Sequence, residues 1–238
     1  MYIVEPMPRQ IDADLIAGLL ETDTGTVGHF LDSGFMGSAI QGRMPGRKIA
    51  GTAVTVRCTL PDSVIVHYAL KFIRPGDVLV VDRGQDKETA CLGGTTAVAA
   101  VAAGLQAVIM DCAGNDISQA NAAGLALWCR APTPVTTKYR NFGGAINVPI
   151  SCGGVAVNPG DAILADENGV LVISPALVGP VVEEAKSWHK KEADFFKALE
   201  ANPGLCYPDA TGASAIVEAA LKAQEGGIRL NRPPGSQD

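Results

Sequence analysis

The chain is 238 residues long, with 19 Lys+Arg against 25 Asp+Glu and a formal charge of −6 at pH 7, a balance that disfavours a nucleic-acid surface. Its 47% hydrophobic content against 18% charged residues supplies a full core and excludes disorder across the chain. Aromatics are only 5% while Gly (27) and Pro (15) are abundant, so the core must be Ala, Val, Ile and Leu packed close to backbone.

The N-terminal MYIVEPMPRQIDADL has no charged segment followed by an apolar one, and the longest Ala/Val run, Ala97 to Ala103, is too short to span a bilayer. A cytoplasmic protein without a membrane partner is expected. Ile11, Leu15, Ile16, Leu19 and Leu20 recur at helical spacing, predicting a helix over Asp12 to Glu21. After a Gly-rich loop, the β-branched run Ile49 to Cys58 predicts a strand and Ser63 to Phe72 a helix. DVLVVD (77–82) reads as a buried strand, an Ala-rich helix runs from about Gly93 to Ala103, and AVIMD (107–111) is a second buried strand. Strand, helix, strand at this spacing implies a parallel crossover.

The pattern then turns to short strands bounded by Gly and Pro: Ala145 to Pro149, Gly154 to Val157, Asp161 to Ala165 and Val170 to Ile173. From Pro175 an amphipathic helix carries Val181, Val182, Ala185, Trp188, Phe195, Phe196 and Leu199 among charged residues. A further helical pattern spans Ala213 to Ala223, ahead of a polar tail with Pro233-Pro234-Gly235. The expected organisation is one α/β domain over residues 1–175 and a C-terminal helical arm over 176–238. The six cysteines, at 58, 91, 112, 129, 152 and 206, show no zinc-ligand spacing and are expected to be mostly buried apolar residues.

Ligands of open α/β sheets collect beyond the carboxyl ends of parallel strands, where helix N-termini offer free N–H groups. Two such ends are adjacent in this chain. Beyond Asp82, Gly93-Gly94-Thr95-Thr96 opens the Ala-rich helix, with glycines that admit a ligand to the backbone and two Thr hydroxyls. Beyond the next strand comes Asp111-Cys112-Ala113-Gly114-Asn115-Asp116. A structural reading stands beside the functional one: the glycines can serve helix packing, and Asn115-Asp116 can cap a helix from Ile117. A G-x-G-x-x-G nucleotide turn is missing, which argues against a methyltransferase.

GTAVTVRC (51–58), PGDVLVVD (75–82), ACLGGTTAVAAVAAGLQAVIMDCAGND (90–116) and NVPISCGGVAVNPGDAILADENGVLVISP (147–175) resemble the RraA-like family. The family comprises class II pyruvate aldolases acting on 4-hydroxy-4-methyl-2-oxoglutarate and 4-carboxy-4-hydroxy-2-oxoadipate, and regulators of ribonuclease E activity. The resemblance implies a swivelling β/β/α fold, a homotrimer or a hexamer of two trimers, and an active site between neighbouring subunits. It implies that the backbone amides of Gly93, Gly94, Thr95 and Thr96 hold the pyruvyl group of a small anionic 2-oxo acid. It further implies that Asp116 holds a divalent cation, Mg²⁺ or Mn²⁺, which a Glu from a neighbour's C-terminal helix approaches; Glu192 is the best match.

The family's Arg-Asp pair is incomplete, because the Arg position is Asn115. Losing a charge-assisted contact to a carboxylate costs about 1.5–3 kcal/mol, roughly ten- to a hundredfold in rate. Arg83, Lys87 and Arg130 are candidate substitutes, Asp86 and Asp111 candidate outer carboxylates or caps, and no His is assigned a catalytic role. Three readings follow: a metal-dependent lyase that also decarboxylates oxaloacetate, a protein-binding ribonuclease regulator, and an enzyme of the same fold whose substrate suits Asn115.

Overall fold

The computed structural model describes residues 1–225, except residues 60, 137 and 203. In chain order its elements are β1 (Tyr2–Val4), α1 (Ala13–Leu20), α2 (Thr24–Val27), β2 (Gln41–Gly42), β3 (Ile49–Cys58), α3 (Val64–Ala69), β4 (Asp77–Asp82), α4 (Gly94–Ala102), β5 (Ala107–Met110), α5 (Ile117–Ala123) and β6 (Ala126–Cys129). They continue with β7 (Gly144–Ile146), β8 (Ile150–Cys152), β9 (Val155–Val157), β10 (Ala162–Ala165), β11 (Val170–Ile173), α6 (Val178–Ala201), α7 (Tyr207–Ala210) and α8 (Ala213–Glu225). The fold is mixed α/β, with helices α6 to α8 following the last strand. Two compact units divide the chain, Met1–His189 and a second beginning at Lys190. The polar tail lies outside the described residues.

The strands β3, β4, β5 and β6 pair in parallel, as the crossover pattern predicts. Their side chains alternate between two buried faces. Val54, Leu79, Val108 and Leu127 enter one core with Ala97 of α4 and Ala120 of α5. Ala53, Val80, Ile109 and Trp128 enter a second core with Ile150 and Cys152 of β8 and Val157 of β9. Burial on both faces explains why these strands read as continuous apolar runs rather than as alternating ones.

Ten-residue β3 is long enough to serve two neighbours on its other edge. Residues Ile49 to Thr52 pair antiparallel with β10, and Val56 to Cys58 pair antiparallel with β7. The predicted strand Ala145 to Pro149 stops at Ile146, the end of β7, because Asn147 has a φ of 57° in the left-handed region. Its amide Nδ2 donates to the Pro6 carbonyl at 3.1 Å, and Pro149 has no N–H for a ladder. Strands β1, β2, β6 and β8 were not expected from the sequence; each is four residues or fewer, and β1, β2 and β6 are shaped by distant partners. Five of the six cysteines are buried, as expected, and Cys206 is exposed. No described helix is long and apolar enough to cross a membrane.

Candidate functional site

The loop beyond β4 is closed by its own charges. Arg83 is 1% exposed; its Nη2 donates to Asp86 Oδ2 at 2.7 Å and Nη1 to Ser63 Oγ at 3.3 Å. The remaining Nε is buried without a partner among the described residues. Burial raises the Asp86 pKa, but the Arg83 guanidinium and the Thr89 N–H together bring it below the ordinary carboxylate value. Arg83 therefore sits under the loop instead of projecting from it.

The segment beyond β5 is held on both sides by backbone hydrogen bonds. Ala113 N–H donates to the Lys87 carbonyl at 2.8 Å, Arg130 N–H to Cys112 at 2.9 Å, and Gly114 N–H to Ala131 at 2.8 Å. At its start, Asp111 accepts from Lys87 Nζ at 2.7 Å and from Arg130 Nε at 2.6 Å. Lys87 and Arg130 thus converge on one carboxylate, each about one-third exposed, with further N–H donors left over.

The end of the same segment is built differently. Asp116, exposed, adopts φ 52° and ψ 40° as the N-cap of α5. Such a left-handed conformation is tolerated by Asp and Asn but is strained, by about 1 kcal/mol or more. Its Oδ2 accepts the Gly94 N–H at 2.9 Å, which ties the start of α4 to the start of α5. No described residue hydrogen-bonds its Oδ1. The Gly94 N–H that the sequence offers to a substrate anion is therefore taken by the protein's own carboxylate, leaving the first-turn N–H groups of Thr95 and Thr96 without helix acceptors; Thr95 is exposed and Thr96 buried.

Asn115 Nδ2 donates to the Thr133 carbonyl at 2.9 Å. A carbonyl can only accept, so the amide nitrogen must face Thr133 and Oδ1 is turned away. A Cβ on Gly93 would stand 3.2 Å from Asp116 Oδ2 and 3.7 Å from Asn115 Oδ1, so both oxygens face this glycine. Gly94 has a separate reason to be glycine: a Cβ there would overlap Gln119 Oε1 of α5. The packing and the ligand readings of Gly93-Gly94 thus divide between the two residues.

No group of three or more His, Cys, Asp or Glu among the described residues is gathered for a metal ion, so a closed zinc-type cage is not built. The free Asp116 Oδ1 and the neighbouring Asn115 Oδ1 are hard oxygen donors. They fit an ion such as Mg²⁺, which keeps several waters and binds through one or two carboxylates. Glu192 lies on α6 in the second unit. Of the histidines, His67 is half-buried, with Nδ1 2.8 Å from the Tyr139 hydroxyl; His29 stacks on Trp188; His189 Nε2 lies 3.1 Å from Thr26 Oγ1. The role of Thr133 could not be read from sequence, because β6, which delivers Arg130 to Thr133 beside the loop, is only four residues long.

The sequence model of the RraA-like family, described as Aldolase/RraA, matches residues 23–172. A protein of Halalkalibacterium halodurans named "Putative 4-hydroxy-4-methyl-2-oxoglutarate aldolase" is 37% identical over 147 residues, 62% of this chain and 68% of that one. Among solved structures, RraAS2 of Streptomyces coelicolor, described as an unusual member of the RNase ES inhibitor RraA protein family, aligns with TM-score 0.69 and 25% identity over 79% of this chain and 98% of its own. An uncharacterized protein of Pseudomonas syringae shares the fold at TM-score 0.73 and 20% identity, over 88% of this chain and 98% of its own. The family match covers more than half of the chain, including both strand-end loops, and this protein is a member of the RraA-like family.

Proposed function

We propose that the protein is a carbon–carbon lyase that releases pyruvate from a small 4-hydroxy-2-oxo acid of the 4-hydroxy-4-methyl-2-oxoglutarate type, with oxaloacetate decarboxylation as a side reaction. The names of relatives support the aldolase class. The observation that carries the reading is Asp116: a strained, exposed carboxylate anchored through one oxygen by Gly94 and, among the described residues, unbonded at the other.

In this reading Asp116 Oδ1, with Asn115 Oδ1, would hold Mg²⁺ or Mn²⁺. A bound divalent ion supplies Lewis-acid stabilisation of the enolate oxygen that both cleavage and decarboxylation generate. Gly93, where a Cβ would stand 3.7 Å from Asn115 Oδ1 and 3.2 Å from Asp116 Oδ2, leaves space in front of these two residues. The N–H groups of Thr95 and Thr96 donate to the substrate carboxylate, with the Thr95 hydroxyl beside them, and the α4 N-terminus favours that negative charge. Arg83 maintains the loop from beneath, and Lys87 and Arg130 set the potential that the anion meets. A homotrimer or hexamer, in which Glu192 of a neighbouring copy reaches Asp116, completes the proposal. The groove of about 690 Å³ between α4 and α5, lined by Val98, Ala99, Ala102 and Ala122, is a surface that a neighbouring copy can cover.

The test is pyruvate release from oxaloacetate and from 4-hydroxy-4-methyl-2-oxoglutarate with Mg²⁺ or Mn²⁺. The parent is expected to release pyruvate and Asp116→Ala to lose at least about tenfold; no release from either substrate overturns the reading. Asn115 favours a second reading, an enzyme of the same fold with another substrate. With Nδ2 engaged by Thr133, the residue presents an acceptor where the family presents a cation, and an acceptor suits a hydroxyl or amide donor better than a carboxylate. Asn115→Arg raising oxaloacetate decarboxylation would favour this second reading. A ribonuclease regulator, the role named for RraAS2 relatives, would instead be supported by capture of a ribonuclease E fragment without any lyase activity.

A further inference from the structure

Behind the two strand-end loops lies a group of sulfur atoms that the proposed chemistry does not use. Cys91 Sγ is 3.8 Å from Cys112 Sγ and 3.1 Å from Met110 Sδ. Both cysteines are fully buried, and they come from different loops. Cys91 stands two residues before Gly93, and Cys112 lies in the segment that ends in Asn115-Asp116. Arg83, with its unpartnered buried Nε, acts electrostatically on both thiols and on Cys58.

We propose that Cys91 and Cys112 form a redox modification site, a dithiol that closes to a disulfide under a peroxide and thereby staples the Gly93 loop to the Asp116 loop. The sulfur atoms stand 3.8 Å apart and a disulfide bond is about 2.05 Å long, so closure asks for an approach of about 1.75 Å. The reaction balances with hydrogen peroxide as the oxidant. One thiolate attacks a peroxide oxygen, the O–O bond breaks and the thiol becomes a sulfenic acid as the first water leaves. The second sulfur then attacks the sulfenic sulfur, the S–O bond breaks and the second water leaves. Two thiols lose two electrons and two protons, and the peroxide takes both. The hydrogen bond to Cys112, together with burial, holds the Cys91 pKa well above its ordinary value, so the pair resists casual oxidation and closes slowly. The Arg83 charge opposes that rise and favours the thiolate once it forms. Peroxide is about the size of a water molecule and can enter by local opening where a larger disulfide oxidant cannot.

The full-length protein carrying Cys206→Ser, which removes the exposed thiol, is expected after hydrogen peroxide treatment to lose two of its five remaining thiols, counted after unfolding, and the mass of two hydrogen atoms, with Cys91 and Cys112 recovered in one cross-linked peptide. Dithiothreitol added after unfolding should reverse the change. Hydrogen exchange should slow in residues 92–97 and 113–118 of the oxidised form, a readout independent of enzymatic activity. Cys91→Ser and Cys112→Ser should each abolish the mass change, while Cys58→Ser should leave it intact. The proposal is overturned if the folded protein keeps both thiols, if the bond forms only in denaturant, or if the recovered pair is another one. Unchanged exchange in both loops after closure overturns the stapling.

Discussion

The two strand-end loops begin from similar residues and use them in opposite ways. Beyond β4, Arg83 and Asp86 are drawn inward and neutralise each other, with the Arg side chain wholly buried. Beyond β5, Asp116 is pushed outward in a strained conformation, with one oxygen unbonded among the described residues. Burial makes the difference: a charge removed from water must be paired, whereas an exposed one can remain available for a ligand. Asp111 stands between these extremes, 8% exposed at its side chain and bridged by two cations that still reach solvent.

If this contrast is sound, the same kind of substitution should have graded costs along the site. Arg83→Ala leaves Asp86 without its partner and opens a void, and should lower stability by about 3–5 kcal/mol, read from the urea midpoint. A loss below about 1 kcal/mol would place Arg83 among ordinary surface charges. Asp111→Ala frees Lys87 and Arg130, which can be solvated, so a loss of about 1–3 kcal/mol is expected by the same measurement. Gly94→Ala, which must push Gln119 aside, should cost roughly 1–3 kcal/mol in thermal unfolding.

Asp116→Gly should change stability by less than about 1 kcal/mol. Relief of the left-handed strain offsets the lost hydrogen bond to Gly94, and a larger loss would make Asp116 a structural cap. The smallest effect concerns acid. For Asp62, burial raises the pKa, but hydrogen bonds from the Phe142, Val64 and Arg140 N–H groups bring it below 3.8. Asp86 is also raised by burial and then brought below the ordinary value, by the Arg83 guanidinium and the Thr89 N–H. A depressed folded pKa contributes stability above the unfolded value that is lost as pH falls through the folded one. Thermal stability should therefore decline below about pH 4, and Asp86→Asn should flatten part of that decline.

Much of the scaffold is legible in the chain because its signals are local. The runs Ile49 to Cys58, Asp77 to Asp82 and Val170 to Ile173 carry enough β-branched residues to declare themselves, and they end at the expected residues. The Ala-rich helix is found within a residue at each end. Strand β1 and the break at Asn147 escape notice, since a three-residue strand and a single left-handed turn depend on contacts about 140 residues away.

The candidate site divides along the same line. The sequence by itself determined the fold class, the family and the residues of the two loops, all of which are written in residue types and short spacings. Tertiary structure alone decided that Arg83 is buried, that Asp111 gathers Lys87 and Arg130, that Asn115 turns its oxygen toward Gly93, and that Cys91 meets Cys112. Each of these depends on which groups lose water and which atoms meet across the sheet, and residue order alone does not specify such distances.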